Sequence, residues 1–158
     1  MPEIKVTIEG DERIRRILSN PEFIRGPLRV FLSRAGFIVE AKTKELAPVD
    51  TGRLRSSIRT EIMPMRAIVG PTVNYAAAVE FGSRPHWPPK GALQPWAERH
   101  GFPTGSIGDF LVRRLIARRG TRAHPFMRPG LKAAMTEIRE EFQELKRAIA
   151  ARWSGRAV

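Results

Sequence analysis

Cysteine is missing from all 158 residues. That excludes disulfide staples, thiolate zinc sites, iron–sulfur clusters and a cysteine nucleophile. It leaves the redox compartment open, because a chain without thiols tolerates any. Long apolar runs are missing too: none approaches the roughly 18 residues that a membrane-spanning helix needs. The opening stretch MPEIKVTIEGDERIRR has no apolar segment behind a basic flank, so it does not read as a secretory signal. These absences predict a soluble chain made in a cytoplasm, with no membrane partner. No internal repeat or low-complexity tract appears. Acidic side chains are scarce, 16 Asp plus Glu against 28 Lys plus Arg, for a formal net charge of +12. Lysine is scarcer still, 6 of those 28, which leaves 22 Arg.

What is present suffices for one domain over residues 1–158, since domains run to about 100–200 residues and this size buries a core without staples. The 42% apolar content opposes wholesale disorder. Basic against acidic side chains count 9 and 8 in residues 1–50, 7 and 3 in 51–100, and 12 and 5 in 101–158. Positive charge therefore accumulates toward the C-terminal half. Arginine forms planar bidentate contacts with carboxylate and phosphate and is more weakly hydrated than lysine. Two readings remain open from composition: a surface facing an acidic partner or nucleic acid, and GC-rich coding bias with Arg on a solvated face.

Hydrophobic periodicity predicts an α+β fold: a small antiparallel sheet packed against two long helices, with a Pro/Gly- and Arg-rich excursion over 83–125. Ile4, Val6 and Ile8 alternate as in a short strand, and 11–18 suits a short helix. Asn20 and Pro21 can open the first long helix, although Gly26-Pro27 predicts a kink or a later start at Pro27. The stripe Ile24, Leu28, Phe31, Leu32, Ala35, Ile38, Val39 and Leu46 carries it to Leu46, where Pro48 stops it. Residues 48–56 read as turn and loop. Ile58, Thr60 and Ile62, then Ala67, Ile68 and Val69, predict a hairpin about Pro64-Met65-Arg66. Residues 74–81 fit a short helix or an extended piece, closed by Gly82, and Ala92–His100 leaves room for another short helix. Residues 109–119 predict a helix with Phe110, Leu111, Leu115 and Val112 inward and Gly120 as its cap. Leu131, Met135, Ile138, Phe142, Leu145, Ile149 and Trp153 mark the last and most regular helix, with Pro129 at its start. The excursion is too long for a plain connection, so it reads as functional or partner-ordered.

No catalytic, cofactor or metal site emerges. Asp50-Thr51-Gly52 matches the aspartic-protease triplet, but that chemistry needs two facing carboxylates, and Pro48 and Arg53-Leu54-Arg55 are the wrong flanks. A turn in which Asp50 caps backbone and Gly52 takes a positive φ fits better. His86, His100 and His124 lack the close ligand pair of a zinc site and read as surface or turn residues. Gly101, Gly105 and Gly108 have the wrong spacing for a phosphate loop, and no nucleophile elbow is present. The densest cluster is Arg113, Arg114, Arg118, Arg119 and Arg122. With only Asp109 nearby, these groups repel one another unless phosphate, partner carboxylates or solvent relieves them. Trp87, Trp96 and Phe102 lie beside them, either as interface anchors or as a small core of the excursion.

Three segments carry a resemblance. Ala47-Pro48-Val49-Asp50-Thr51-Gly52-Arg53-Leu54-Arg55-Ser56-Ser57-Ile58 is the first. Val69-Gly70-Pro71, followed by Tyr75 to Ser83 (YAAAVEFGS), is the second. Ala123-His124-Pro125-Phe126-Met127-Arg128-Pro129-Gly130-Leu131, leading into the C-terminal helix, is the third. In this order they resemble the neck and tail-component family of long-tailed double-stranded DNA phages and prophages, over about residues 20–150. Ser83 stands where Thr is common, and the 84–122 segment is long and Arg-rich for the family. The resemblance implies a structural virion protein at the head–tail junction and not an enzyme. It also implies a homo-oligomeric ring, hexamer-like or matched to the neck symmetry, that contacts head-completion or connector proteins, tail proteins and double-stranded DNA in the channel. Pro125 and Pro129 would fix backbone angles, Phe126 would staple inward, Tyr75 and Phe81 would anchor, and Gly82 would let the chain turn; Glu80 and Arg128 complete the motifs. The competing expectation is a basic nucleic-acid-binding protein acting free of any particle.

Overall fold

In the computed structural model, which describes residue 20 and residues 22–154, Asn20 opens the first long helix. Its Oδ1 accepts the N–H of Glu22 at 3.0 Å, satisfying one donor that a helix start leaves orphaned. The strand over 3–8, the helix over 11–18 and the role of Pro21 lie outside the described residues. The elements in chain order are α1 (Glu22–Leu46), α2 (Arg53–Ser57), β1 (Ile58–Met63), β2 (Arg66–Pro71), α3 (Ala76–Phe81), α4 (Gln94–Arg99), α5 (Ser106–Arg119) and α6 (Met127–Ser154). The α+β class is as the sequence predicts, with one two-stranded antiparallel sheet. By contacts the chain divides into two units. One comprises the described residues up to Lys42, Arg59–Gly70 and those from Leu131; the other comprises Thr43–Ile58 and Pro71–Gly130.

In the first unit, α1 runs without a break in helical assignment through Gly26-Pro27, which corrects the alternative of a later start at Pro27. Proline has no N–H to offer the carbonyl four residues back. That carbonyl belongs to Phe23, and Arg152 donates to it and to the carbonyl of Glu22, each at 3.2 Å. A side chain from the far end of α6 thus supplies the hydrogen bond that Pro27 cannot. The backbone of Gly36 lies against Thr60, Ile62 and Ala67 of the hairpin. The Thr60 hydroxyl reaches Glu40 Oε2 at 2.6 Å and stands 3.2 Å from the Gly36 carbonyl. Helix α6 meets α1 through Phe31–Phe142 and Phe23–Trp153 edge contacts. Arg34–Glu141 and Lys42–Glu137 ion pairs add to that seam.

The predicted stripe of α6 is only partly covered. Ala134 is fully buried, while Leu131, Met135, Phe142 and Trp153 are exposed, as are Ile24 and Leu46 of α1. A two-stranded hairpin and one partner helix offer too little area to cover every residue of two long amphipathic helices.

The second unit begins where α1 ends. After a turn with Gly52 at φ 79°, the segment read as loop forms the single-turn α2, which buries Leu54 and Ser57. The Ser57 carbonyl accepts the Thr72 N–H at 3.1 Å. The ambiguous 74–81 piece is helix α3, and Gly82 closes it at φ 72°. Helix α4 starts with Pro95 in its first turn, and α5 ends at Gly120 with φ 69°. The excursion is closed at its base by a bridge in which Ser83 and Thr121 exchange backbone hydrogen bonds, both 3.1 Å. A Cβ on Gly120 would collide with the Ser83 carbonyl, so the bridge requires glycine there.

The phase of α5 differs from the prediction. Phe110, Leu111 and Leu115 are exposed, and Gly108, Asp109 and Val112 face inward. Asp109 decides this. Its carboxylate accepts the N–H groups of Gly91 at 3.0 Å and Leu93 at 3.2 Å, with Arg113 at 3.7 Å. A buried carboxylate with such partners holds its helix face inward. At the start of α6, Gly130 lies against Thr43, with room for no Cβ: one would stand 2.5 Å from the Thr43 hydroxyl. That hydroxyl is buried without a hydrogen-bond partner.

Candidate interaction surface

Glu80 joins the second sequence motif to the third. Its Oε2 accepts the N–H of Phe126 at 2.7 Å and of Met127 at 2.9 Å, and Oε1 accepts that of Arg128 at 3.3 Å. These are the first-turn donors of α6, where a helix carries partial positive charge. Burial pushes the Glu80 carboxyl pKa up. The three backbone N–H groups and the Arg128 charge push it further down, and the net result lies below the usual glutamate value. The His124 N–H donates to the Val79 carbonyl at 2.7 Å, so the third motif is tied to α3 at two levels. Phe126 is fully buried, as a staple should be. Pro125 and Pro129 are exposed around it. Tyr75 and Phe81, read as anchors, are exposed instead. The Arg128 guanidinium lies 5.5 Å above the Phe81 ring.

The first motif is held differently. Asp50 takes two hydrogen bonds from Arg99, at 3.0 Å from Nε and 2.5 Å from Nη2. The Arg99 guanidinium keeps its carboxyl below the usual aspartate range. A carboxylate forked by arginine is held charged and cannot share a proton with a second one. The expectation that Asp50 caps its own turn is corrected: its partner lies 49 residues away on α4. Thr51 is exposed, Leu54 is buried, and Gly70-Pro71 ends β2.

The arginine cluster separates into two kinds. Arg113 is largely buried and internal. Its Nε donates to the Pro88 carbonyl at 2.7 Å, it faces Asp109, and its guanidinium sits 5.6 Å above the Trp87 ring. Arg114, Arg118, Arg119 and Arg122 are exposed. Trp87 stacks on Phe110 with centroids 6.3 Å apart, and Trp96 stacks on His100 at 4.0 Å and leans on Phe102. Both tryptophans keep exposed surface. His86, His100 and His124 are all exposed. Among the described residues no group of three His, Cys, Asp or Glu could hold a metal ion, and no helix is long and apolar enough to cross a membrane.

Sequence reasoning passed over Asp109, Arg152 and the Thr43–Gly130 contact. Asp109 stood out only as the lone acid among arginines, and nothing local marks Arg152 or Thr43. Residues 28–82 match the model of the HK97-gp10-like family, described as "Bacteriophage HK97-gp10, putative tail-component". The match takes in the first motif and almost all of the second. The third motif lies beyond it. No curated protein and no solved structure matches the chain.

Proposed function

We infer that this chain, whose residues 28–82 match the HK97-gp10-like tail-component model, is a structural protein of a phage tail that works at the head–tail junction. It assembles there as a ring and joins the tail to its neighbours. The observation that carries this reading is the Glu80 latch. The matched segment ends at residue 82, and its last carboxylate organises the start of α6, so the third motif belongs to the same built unit. The residue types gathered there hold backbone and activate no nucleophile. Large exposed apolar side chains on α1, α5 and α6 also fit a part that neighbouring subunits complete, because interfaces gather such residues. A ring follows from repeated head-to-tail contacts that close on themselves.

The test is complementation. A phage or prophage lacking this coding region is supplied with the wild-type chain or with one carrying Arg114→Glu, Arg118→Glu and Arg119→Glu. The wild type restores joined, infectious particles and the triple variant does not, although it folds. Full restoration by the triple variant contradicts the part of the reading that places the arginine helix at a contact. Salt-steep DNA binding by a chain that never enters particles would instead identify a free nucleic-acid-binding protein.

A further inference from the structure

We propose that the outer face of α5, together with Trp87, is a docking surface for an acidic amphipathic polypeptide segment of another protein. This rests on reading the chain as a structural part completed by partners, and it names the chemistry of one partner. The face follows from helical spacing: Ile107, Leu111, Arg114 and Arg118 recur at steps of 4, 3 and 4 on the side opposite buried Gly108, Asp109 and Val112. Its first half is apolar and open to solvent, with Ile107 63% exposed, Phe110 48% and Leu111 37%, beside Trp87 at 58%. A shallow depression lined by Lys90, Gln94, Ile107 and Phe110 borders it. The second half is guanidinium.

Charge selects the occupant. Residues 84–122 carry eight basic side chains and two acidic ones, Glu98 and Asp109. Asp109 is buried, whereas Glu98 is exposed on α4 and keeps its charge. Asp109 holds Gly91, Leu93 and Arg113. Glu98 accepts from the Gln94 side chain at 3.1 Å and the Gly105 N–H at 3.2 Å. With one exposed acid against Arg114, Arg118, Arg119 and Arg122, all exposed, the outward charge remains strongly positive, and an acidic partner relieves it. A second copy of this chain, itself at +12, is a poor source of that acid. Duplex DNA would meet Arg114, Arg118 and Arg119 but leave Ile107, Phe110, Leu111 and Trp87 in water. A helix with an apolar stripe and carboxylates toward one end covers both halves, in the helix-in-groove mode.

Three probes decide it against the full chain, by fluorescence anisotropy: a synthetic amphipathic peptide of about 18 residues with Leu/Phe anchors and Glu flanks, the same peptide with Lys for Glu, and a DNA duplex. The Glu peptide binds at least about tenfold tighter than the Lys peptide. Ile107→Ser with Phe110→Ser weakens it about fivefold or more, and Arg114→Glu with Arg118→Glu does so too. These side chains keep substantial exposed surface, so the variants stay folded by circular dichroism at the assay temperature, Phe110→Ser losing only its stack on Trp87. Equal binding of the two peptides, indifference to the apolar substitutions, or tighter binding to DNA than to the Glu peptide overturns the proposal. A chain that enters particles yet ignores the Glu peptide overturns this inference and leaves the tail reading intact.

Discussion

Glu80 accepts three backbone N–H groups at the start of α6, and its removal strands them, that of Phe126 in a buried place and the other two partly buried. Glu80→Ala is expected to lower stability by about 1–3 kcal/mol, read from urea denaturation at neutral pH. Glu80→Gln keeps the shape and loses the charge, so it falls between. The pH dependence follows from the lowered pKa. The folded carboxyl holds its proton more weakly than the unfolded one. Its contribution is whole above the ordinary value of 4.5, declines as pH falls below that, and is gone beneath the folded value. The wild-type excess over Glu80→Gln should shrink across that acid window; an excess independent of pH would contradict the latch. Gly130 supplies a second test. Alanine normally stabilises a helix interior relative to glycine by roughly 0.5–1 kcal/mol. Here its Cβ meets Thr43, and overpacking of that kind costs about 1–3 kcal/mol, so Gly130→Ala should destabilise. In a Thr43→Ala background the clash with the hydroxyl is gone but the Thr43 Cα still stands 2.7 Å from the new Cβ, so the cost should fall without vanishing, a coupling that a double-mutant cycle reads directly. Thr43→Val alone should cost nothing, since the hydroxyl it removes has no partner.

Helix α1 shows how one element depends on another. Pro27 leaves the Phe23 carbonyl without its N–H, and Arg152 fills the gap from α6. Arg152→Ala should cost about 0.5–1.5 kcal/mol in denaturant titration. In a Pro27→Ala background, where the helix restores its own bond, the cost should largely vanish. An equal cost in both backgrounds would mean that Arg152 acts elsewhere. The same helix marks the limit of pattern reading. Its end at Pro48, the hairpin about Pro64-Met65, the closing glycines at 82 and 120 and the course of α6 were legible, because each is a local rule of backbone geometry. Its continuity through Gly26-Pro27 was not, because the compensating group is 125 residues further along. Helix α5 was read in the wrong phase for a related reason. Periodicity places apolar residues inward, but the carboxylate of Asp109 serving backbone donors of a distant loop outweighed Phe110 and Leu115. At the candidate surface the exposed arginines were legible from composition, whereas the internal duty of Arg113 needed Trp87, Pro88 and Asp109 in place.

At the scale of the whole molecule, the proposed part finished by its neighbours draws on two features: apolar side chains left exposed on α1, α5 and α6 and a positive charge concentrated after residue 83. The motifs locate the joints. Asp50–Arg99 fastens the first to α4, Glu80 fastens the second to the third, and the Ser83–Thr121 bridge seals the excursion that carries the arginine helix. An isolated chain with this surface should self-associate or bind apolar probes more readily than an ordinary monomer, and high salt should weaken its acidic contacts more than its apolar ones. The most direct measurement is electron cryomicroscopy of purified particles from the phage or induced prophage that the proposal places the chain in, beside particles from a deletion. The account predicts a ring of density for this fold at the head-proximal end of the tail, and unjoined heads and tails when the coding region is removed. Complete, infectious particles that neither contain the chain nor need it would contradict the account.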